Sequence, residues 1–395
     1  MISAIHLPKI KFSLLICSVI ALFAFISCGK KSGGGGTTNP PVVIPPQTPV
    51  WDVNAMRGVW VTNVASTALD SRENIKTCVQ NCKAAGINTI FMVVYNNART
   101  IYPSTVMANL IGKPIAEKFS GRDPLKEMIE EAHAVGLKVH AWFEYGFSSS
   151  YSANGGLIVA AKPNWAARDI NQNLVVKNGF DWLNAFDPEV QDYMISLFKE
   201  VVINYNIDGV QGDDRLPALP STAGYDAYTV AMYKAEFGGI DPPADFRESA
   251  WINWRTNKLN KFMKKLRTEI KIIKPAVMVT MSPSPFPWGR DEYLQDWPTW
   301  VDSGWVDAVI PQCYRYDIAA YNATVAQQKT YHRNTSIPLY PGVLLKVGPT
   351  VQPDGLLTQM VQTNRRSGYK GEVFFFYEGI KDRKSWFEGT YPFTQ

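Results

Sequence analysis

AVGLKVHAWFEY, residues 134–145, packs the end of a helix, a glycine, an apolar strand and a polar strand end into one short run. Gly136 falls where a helix closes, a position that favours left-handed backbone and therefore a residue without Cβ. The apolar run that follows is too short for a helix and rich in the residues that suit a strand. The same helix–Gly–strand joint recurs as AAGIN at 84–88 and RSGYKG at 366–371. A repeated joint of this kind marks repeated βα units.

Working outward, eight apolar runs read as strands: Arg57 to Asn63, Ile87 to Tyr95, Leu137 to Tyr145, Ile207 to Asp213, Val277 to Ser282, Val306 to Cys313, Ile337 to Leu344 and Gly371 to Tyr377. Amphipathic stretches lie between them, clearest at 72–85, 124–135, 188–205, 246–273 and 355–367. The fold expected is α/β, a single (β/α)8 TIM barrel over residues 51–395. A doubly wound sheet shares the alternation, but eight βα units without a Gly-rich phosphate loop fit the barrel better. The long connections after the third and fourth strands, 146–187 and 215–245, are where such a fold builds its binding site.

Residues 1–27 read as an export signal, with Lys9 and Lys11 ahead of the apolar run FSLLICSVIALFAFIS at 12–27. That run is short for a membrane span. It ends in Ser27, Cys28 and Gly29, which predicts a lipoprotein signal with Cys28 as the lipidated first residue. The stretch KKSGGGGTTNPPVVIPPQTPV at 30–50 then makes residues 28–50 a Gly/Pro-rich tether. The expected location is exported and lipid-anchored in the cell envelope, at the outer membrane. Losing residues 1–27 removes Lys9 and Lys11 and no acid, which takes the net charge from +5 to +3. A charge so mild excludes nucleic acid as an expected partner. Cys78, Cys82 and Cys313 read as buried free thiols.

In a barrel of this type the chemistry sits where strands end, and here those positions are polar. The first strand ends at Asn63, the second at Tyr95 and Asn96 with Arg99 beyond, and the third at Glu144 and Tyr145 after His140 and Trp142. The fourth, IDGVQGDDR at 207–215, closes on Asp213, Asp214 and Arg215. Gln312 and Tyr314 end the sixth, and Tyr377 and Glu378 the eighth. Two adjacent aspartates after an apolar strand are costly unless solvated, paired or used. Acids from separate strands facing one another are what glycoside hydrolysis requires, one to protonate the leaving oxygen and one to act as nucleophile or base. HExxH, GxSxG and P-loop patterns are missing and the chain has four histidines, so no metal or cofactor is expected.

The segments RGVWVTN at 57, INTIFMVVYNNARTIYPS at 87, GLKVHAWFEYGF at 136, DGVQGDDRL at 208, YLQDWPTWVDSGWVDAVIPQCYRYD at 293 and GEVFFFYEGI at 371 together resemble glycosyl hydrolase-like family ten, bacterial (β/α)8-barrel glycosidase-like lipoproteins. The resemblance implies a glycosidase, with peptidoglycan glycan strands as substrate. It places the family's aspartate pair on Asp213 and Asp214 and its Trp-Phe-acid segment on Trp142, Phe143 and Glu144.

The candidate catalytic set is therefore Asp213 as nucleophile or base, with Asp214, Glu144 or Glu378 as acid. Asn63, Tyr95, Asn96, Arg99, His140, Trp142, Tyr145, Arg215, Gln312, Tyr314 and Tyr377 are the candidate sugar-binding residues. Trp165, Trp182, Tyr225 and Trp288 are candidate sugar platforms. The expected partners are a glycan and, through Cys28, a lipid bilayer, with no obligate protein partner. The alternative is a glycan-binding lipoprotein on the same scaffold that does not catalyse.

Overall fold

The computed structural model describes residues 52–391. The signal at 1–27, the lipidation site Cys28 and the tether at 28–50 lie outside the described residues.

All eight expected strands form and join one parallel sheet: β1 (Arg57–Val61), β2 (Thr89–Val93), β3 (Lys138–Trp142), β4 (Gly209–Gly212), β5 (Met278–Met281), β6 (Ala308–Val309), β7 (Gly342–Leu344) and β8 (Glu372–Phe375). Their order is β6-β5-β4-β3-β2-β1-β8-β7. The two edges then meet, because Val309 of β6 bridges Leu339, just ahead of β7, in parallel. Val309 N donates to the Pro338 carbonyl at 3.1 Å and Tyr340 N to the Val309 carbonyl at 3.0 Å. The arrangement is α/β and TIM-barrel-like.

A helix follows each strand: α1 (Arg72–Ala84), α2 (Pro124–Ala134), α3 (Pro188–Asn204), α4 (Ser249–Ile273), α5 (Trp297–Asp302), α6 (Ile318–Tyr331), α7 (Asp354–Arg366) and α8 (Lys384–Thr390). Their starts are written locally. Ser71, Asp123 and Asp187 each accept a backbone N–H as N-cap, and Pro124 and Pro188 occupy the first turn, where no N–H is missed. The glycines at the three joints, Gly86, Gly136 and Gly368, take φ of 68°, 77° and 89°.

Large rings fill the space inside the sheet. Trp60 and Phe91 have centroids 5.7 Å apart, Phe91 and His140 4.9 Å, and Trp60 Nε1 donates to Gln211 Oε1 at 2.7 Å. Gly209 makes this possible, since a Cβ there would run into the His140 ring. Cys78, Cys82 and Cys313 are buried free thiols. Among the described residues no helix is long and apolar enough to cross a membrane.

The connections at the carboxyl ends of the strands carry structure of their own. After β2 a tight hairpin pairs Tyr95–Asn96 with Arg99–Thr100, turned by Asn97 and Ala98 at positive φ. After β3, Ser148–Tyr151, Phe180–Trp182 and Val176–Lys177 form a small antiparallel sheet. After β4 the chain forms a helix, Ala227–Glu236, ahead of α4.

Candidate active site

Arg215, three residues past the end of β4, is the hub of the site. Its Nη2 lies 3.4 Å from Asp213 Oδ2 and 3.7 Å from Glu144 Oε1, and its Nη1 lies 3.1 Å from Asp214 Oδ1. Its Nε donates to the Glu144 carbonyl at 2.9 Å. The guanidinium rests on the Phe180 ring at 4.6 Å and beside Tyr145 at 5.7 Å. Rings from the β3 connection thus shield one side of the cation while three acids from β3 and β4 take its edge.

The three acids are not equivalent. Asp213 is 2% exposed, and both of its oxygens are taken. Oδ2 accepts from Trp142 Nε1 at 2.9 Å as well as facing Arg215. Oδ1 accepts from Gln312 Nε2 at 2.5 Å and from Asp214 N at 2.6 Å. Gln295 Nε2 holds the Asp213 carbonyl at 3.0 Å. The side chains of Glu144 and Asp214 keep 17% and 18% of their surface open. Glu144 accepts one side-chain hydrogen bond, from Asn96 Nδ2 at 2.5 Å to Oε2, with the Arg215 guanidinium 3.7 Å from Oε1. Of the acids expected to act on substrate, Asp213 is therefore the one already saturated by protein donors, which suits positioning better than attack.

Crowding of charge sets the protonation. Three ionised carboxylates around one guanidinium would leave an excess of two negative charges in a poorly solvated place. Burial raises the Glu144 carboxyl above its usual range and Asp214 adds to this, against Arg215 and Asn96. Burial and the charge of Asp214 likewise raise Asp213, against Arg215. Burial opposes the charge on Arg215, but Asp214, Asp213 and Glu144 outweigh it and hold the guanidinium charged. Such a cluster disfavours full ionisation and raises, with Asp213, a carboxyl that also has an open side, which is the direction a general acid needs.

Tyr314 completes the floor, its ring 6.3 Å from Trp60 and 5.3 Å from Phe375. Burial and the charges of Asp213 and Asp214 raise its phenol.

Several expected site residues lie elsewhere. Glu378 does not join the other acids: it accepts from Ser66 Oγ at 2.7 Å and pairs with Lys381 at 2.8 Å. Tyr377 turns to the helix layer, where its hydroxyl accepts from Asn81 of α1 at 3.0 Å. Tyr95 does the same towards α3, its hydroxyl 3.1 Å from that of Tyr193. His140 is fully buried, two residues before Trp142 on β3 and against the Phe91 ring, so it packs the interior. Burial lowers its pKa to about 4 and keeps it neutral. Arg99 donates to the Ala98 carbonyl within its own hairpin. Asn63 is half-buried at the end of β1, with Oδ1 lacking a partner among the described residues. Of the candidate platforms, Trp165, Trp182 and Tyr225 are buried, whereas Trp288 is 48% exposed.

Gln295 and Phe180 are the contributors the sequence did not single out. Gln295 meets Asp213 across 82 positions of chain and Phe180 meets Arg215 across a sheet that no local pattern announces.

Comparison with known proteins follows the same line. A sequence model described as glycosyl hydrolase-like 10 matches residues 55–351. The chain is 28% identical to glycosyl hydrolase DigH of Escherichia coli (strain K12) over 374 residues, covering 79% of each. It is 25% identical to glycosyl hydrolase YngK of Bacillus subtilis (strain 168) over 383 residues, covering 85% of this chain and 70% of that one. Among solved structures, the PgaB (BpsB) glycoside hydrolase domain from Bordetella bronchiseptica has a TM-score of 0.64 at 13% identity, with 85% of this chain and 97% of that one covered. The catalytic domain of β-amylase from Paenibacillus polymyxa has a TM-score of 0.63 at 10% identity, with 87% and 100% covered. At such identities the structural likeness speaks for the fold alone.

Proposed function

The chain belongs to the glycosyl hydrolase-like 10 family, and from that premise we propose that it is a glycoside hydrolase acting on the glycan strands of peptidoglycan, on a closed (β/α)8 barrel. The observation that carries the reading is the Glu144, Asp213 and Asp214 cluster around Arg215. Glu144, with its raised carboxyl and open side, protonates the glycosidic oxygen as the bond to the anomeric carbon breaks. Asp214 faces the anomeric carbon, as nucleophile or as base for a water. Asp213, Trp142 and Gln312 fix the angle of the pair, while Asn96, Tyr145 and Tyr314 line the approach. The protein is exported, acylated on Cys28 and held at the outer membrane by the tether at 28–50.

The saturation of Asp213 and the guanidinium in reach of all three acids favour a second reading, glycan binding without hydrolysis. Incubating the full chain with peptidoglycan, peptide-stripped peptidoglycan and a panel of polysaccharides decides between them. Hydrolysis predicts new reducing ends and shortened glycans by mass. Binding to the sedimented glycan with no new ends establishes the second reading instead.

A further inference from the structure

Trp288 begins a short helix, Trp288–Tyr293, on the connection that leaves β5. It is 48% exposed, while Trp165, Trp182, Trp251, Trp297 and Trp300 are buried. One exposed ring alone says little, since many surfaces carry one. What matters is the wall behind it.

The Trp288 ring lies 5.5 Å from that of Tyr293, and Tyr293 lies 5.8 Å from Trp182. Tyr293 is fixed at its face and at its hydroxyl: the Lys177 ammonium sits 4.4 Å over its ring, and its hydroxyl accepts from Asn178 Nδ2 at 2.9 Å. The same segment is fastened to the chain that leaves the acid pair. Leu219 N donates to the Tyr293 carbonyl and Ser221 N to the Glu292 carbonyl, both at 3.0 Å, and two residues further on Gln295 holds Asp213. On the other side Trp182 shares a strand with Phe180, the ring beneath Arg215. The exposed Trp288 therefore rests on the buried rings of Tyr293 and Trp182, and the strand that carries Trp182 also carries Phe180 under the guanidinium among the acids. The charge of Asp214 raises the Tyr293 phenol along with burial, as expected for a ring within reach of that acid.

We infer that Trp288 is the outer platform of an extended glycan-binding site, stacking on the apolar C–H face of a pyranose several sugars from the bond that is cut. The inference rests on the glycan reading of the site and names the form of its substrate: a chain, gripped along its length. A contact so far from the reacting carbon binds substrate and transition state alike, so its loss appears in KM.

The test uses the full chain in detergent and a ladder of peptide-free peptidoglycan oligomers from the disaccharide upward, read by both hydrolysis and binding. Trp288→Ala is expected to raise KM roughly fivefold to tenfold on long oligomers, with a penalty that grows with chain length, and Trp288→Phe is expected to restore most of the loss. A penalty equal at every length, or none, overturns the platform while leaving hydrolysis standing. Length-dependent weakening of binding in a protein that releases no products keeps the platform and rejects hydrolysis. Failure of the unaltered chain to bind any oligomer rejects both.

Discussion

Burial and the charge of Asp214 hold the Glu144 carboxyl above its usual range, and this fixes the direction of the pH dependence. An acid that must donate is lost as pH rises through its pKa, which here lies above the ordinary 4.5. Activity therefore falls on the alkaline side of that raised pKa, and Glu144→Gln lowers kcat by about 10²- to 10⁴-fold and abolishes that limb. A variant with the same alkaline limb contradicts the assignment. His140 acts on stability instead. Its pKa in the folded chain is about 4, against 6.5 for an ordinary histidine, so the unfolded chain takes up a proton that the folded one refuses between those values. Stability is lost as pH falls through that window, by roughly 3 kcal/mol in full. Raised carboxyls such as Glu144 work in the opposite sense, so His140→Leu isolates the histidine: its urea-unfolding free energy should fall less steeply between pH 6.5 and 4 than that of the unaltered chain. Equal slopes would show that His140 is not the group responsible.

Between elements, the contact of β4 with β3 at Gly209 is a tight constraint beneath the site. Gly209→Ala drives a Cβ into the His140 ring and should cost roughly 2 kcal/mol, read as a lowered urea midpoint. His140→Ala made together with it should recover part of that loss, because the two changes share one contact; additive losses would place the strain elsewhere. The helix–Gly–strand joints made the order of strands and helices legible in the sequence, because the closing glycine and the apolar run are both local signals. Strand lengths were less legible. Pro311, Pro338 and Pro341 lack an N–H to give, so β6 and β7 pair over fewer residues than their apolar runs suggest. α6 gave little signal because it buries only Tyr321, Thr324, Val325 and Gln328, a thin and partly polar stripe. In the candidate site, Asp213, Asp214, Glu144, Trp142 and Gln312 were legible because each lies at or just past the end of a strand of the main sheet. Tyr95 belongs to a hairpin, and Tyr377 and Glu378 to a 3-10 turn, so the two-residue period of those strands had already ended and their directions could not be read from it.

For the molecule as a whole, the question is where the site is held and what reaches it. The proposed tether of residues 28–50 would join the proposed lipid on Cys28 to the barrel. Cys28→Ser should release the protein from the membrane fraction and end its labelling by a palmitate analogue; a variant that still sediments with membranes is held some other way. In the proposed reaction Glu144 and Asp214 together cut a glycosidic bond. The most direct measurement is mass analysis of the products released from peptide-stripped peptidoglycan by the full chain, by Glu144→Gln and by Asp214→Asn, with glycan binding measured alongside. Shortened glycans from the unaltered chain, and none from either variant while both still bind glycan and unfold at the unaltered midpoint, is the result predicted. Product formation undiminished in either variant would contradict the account.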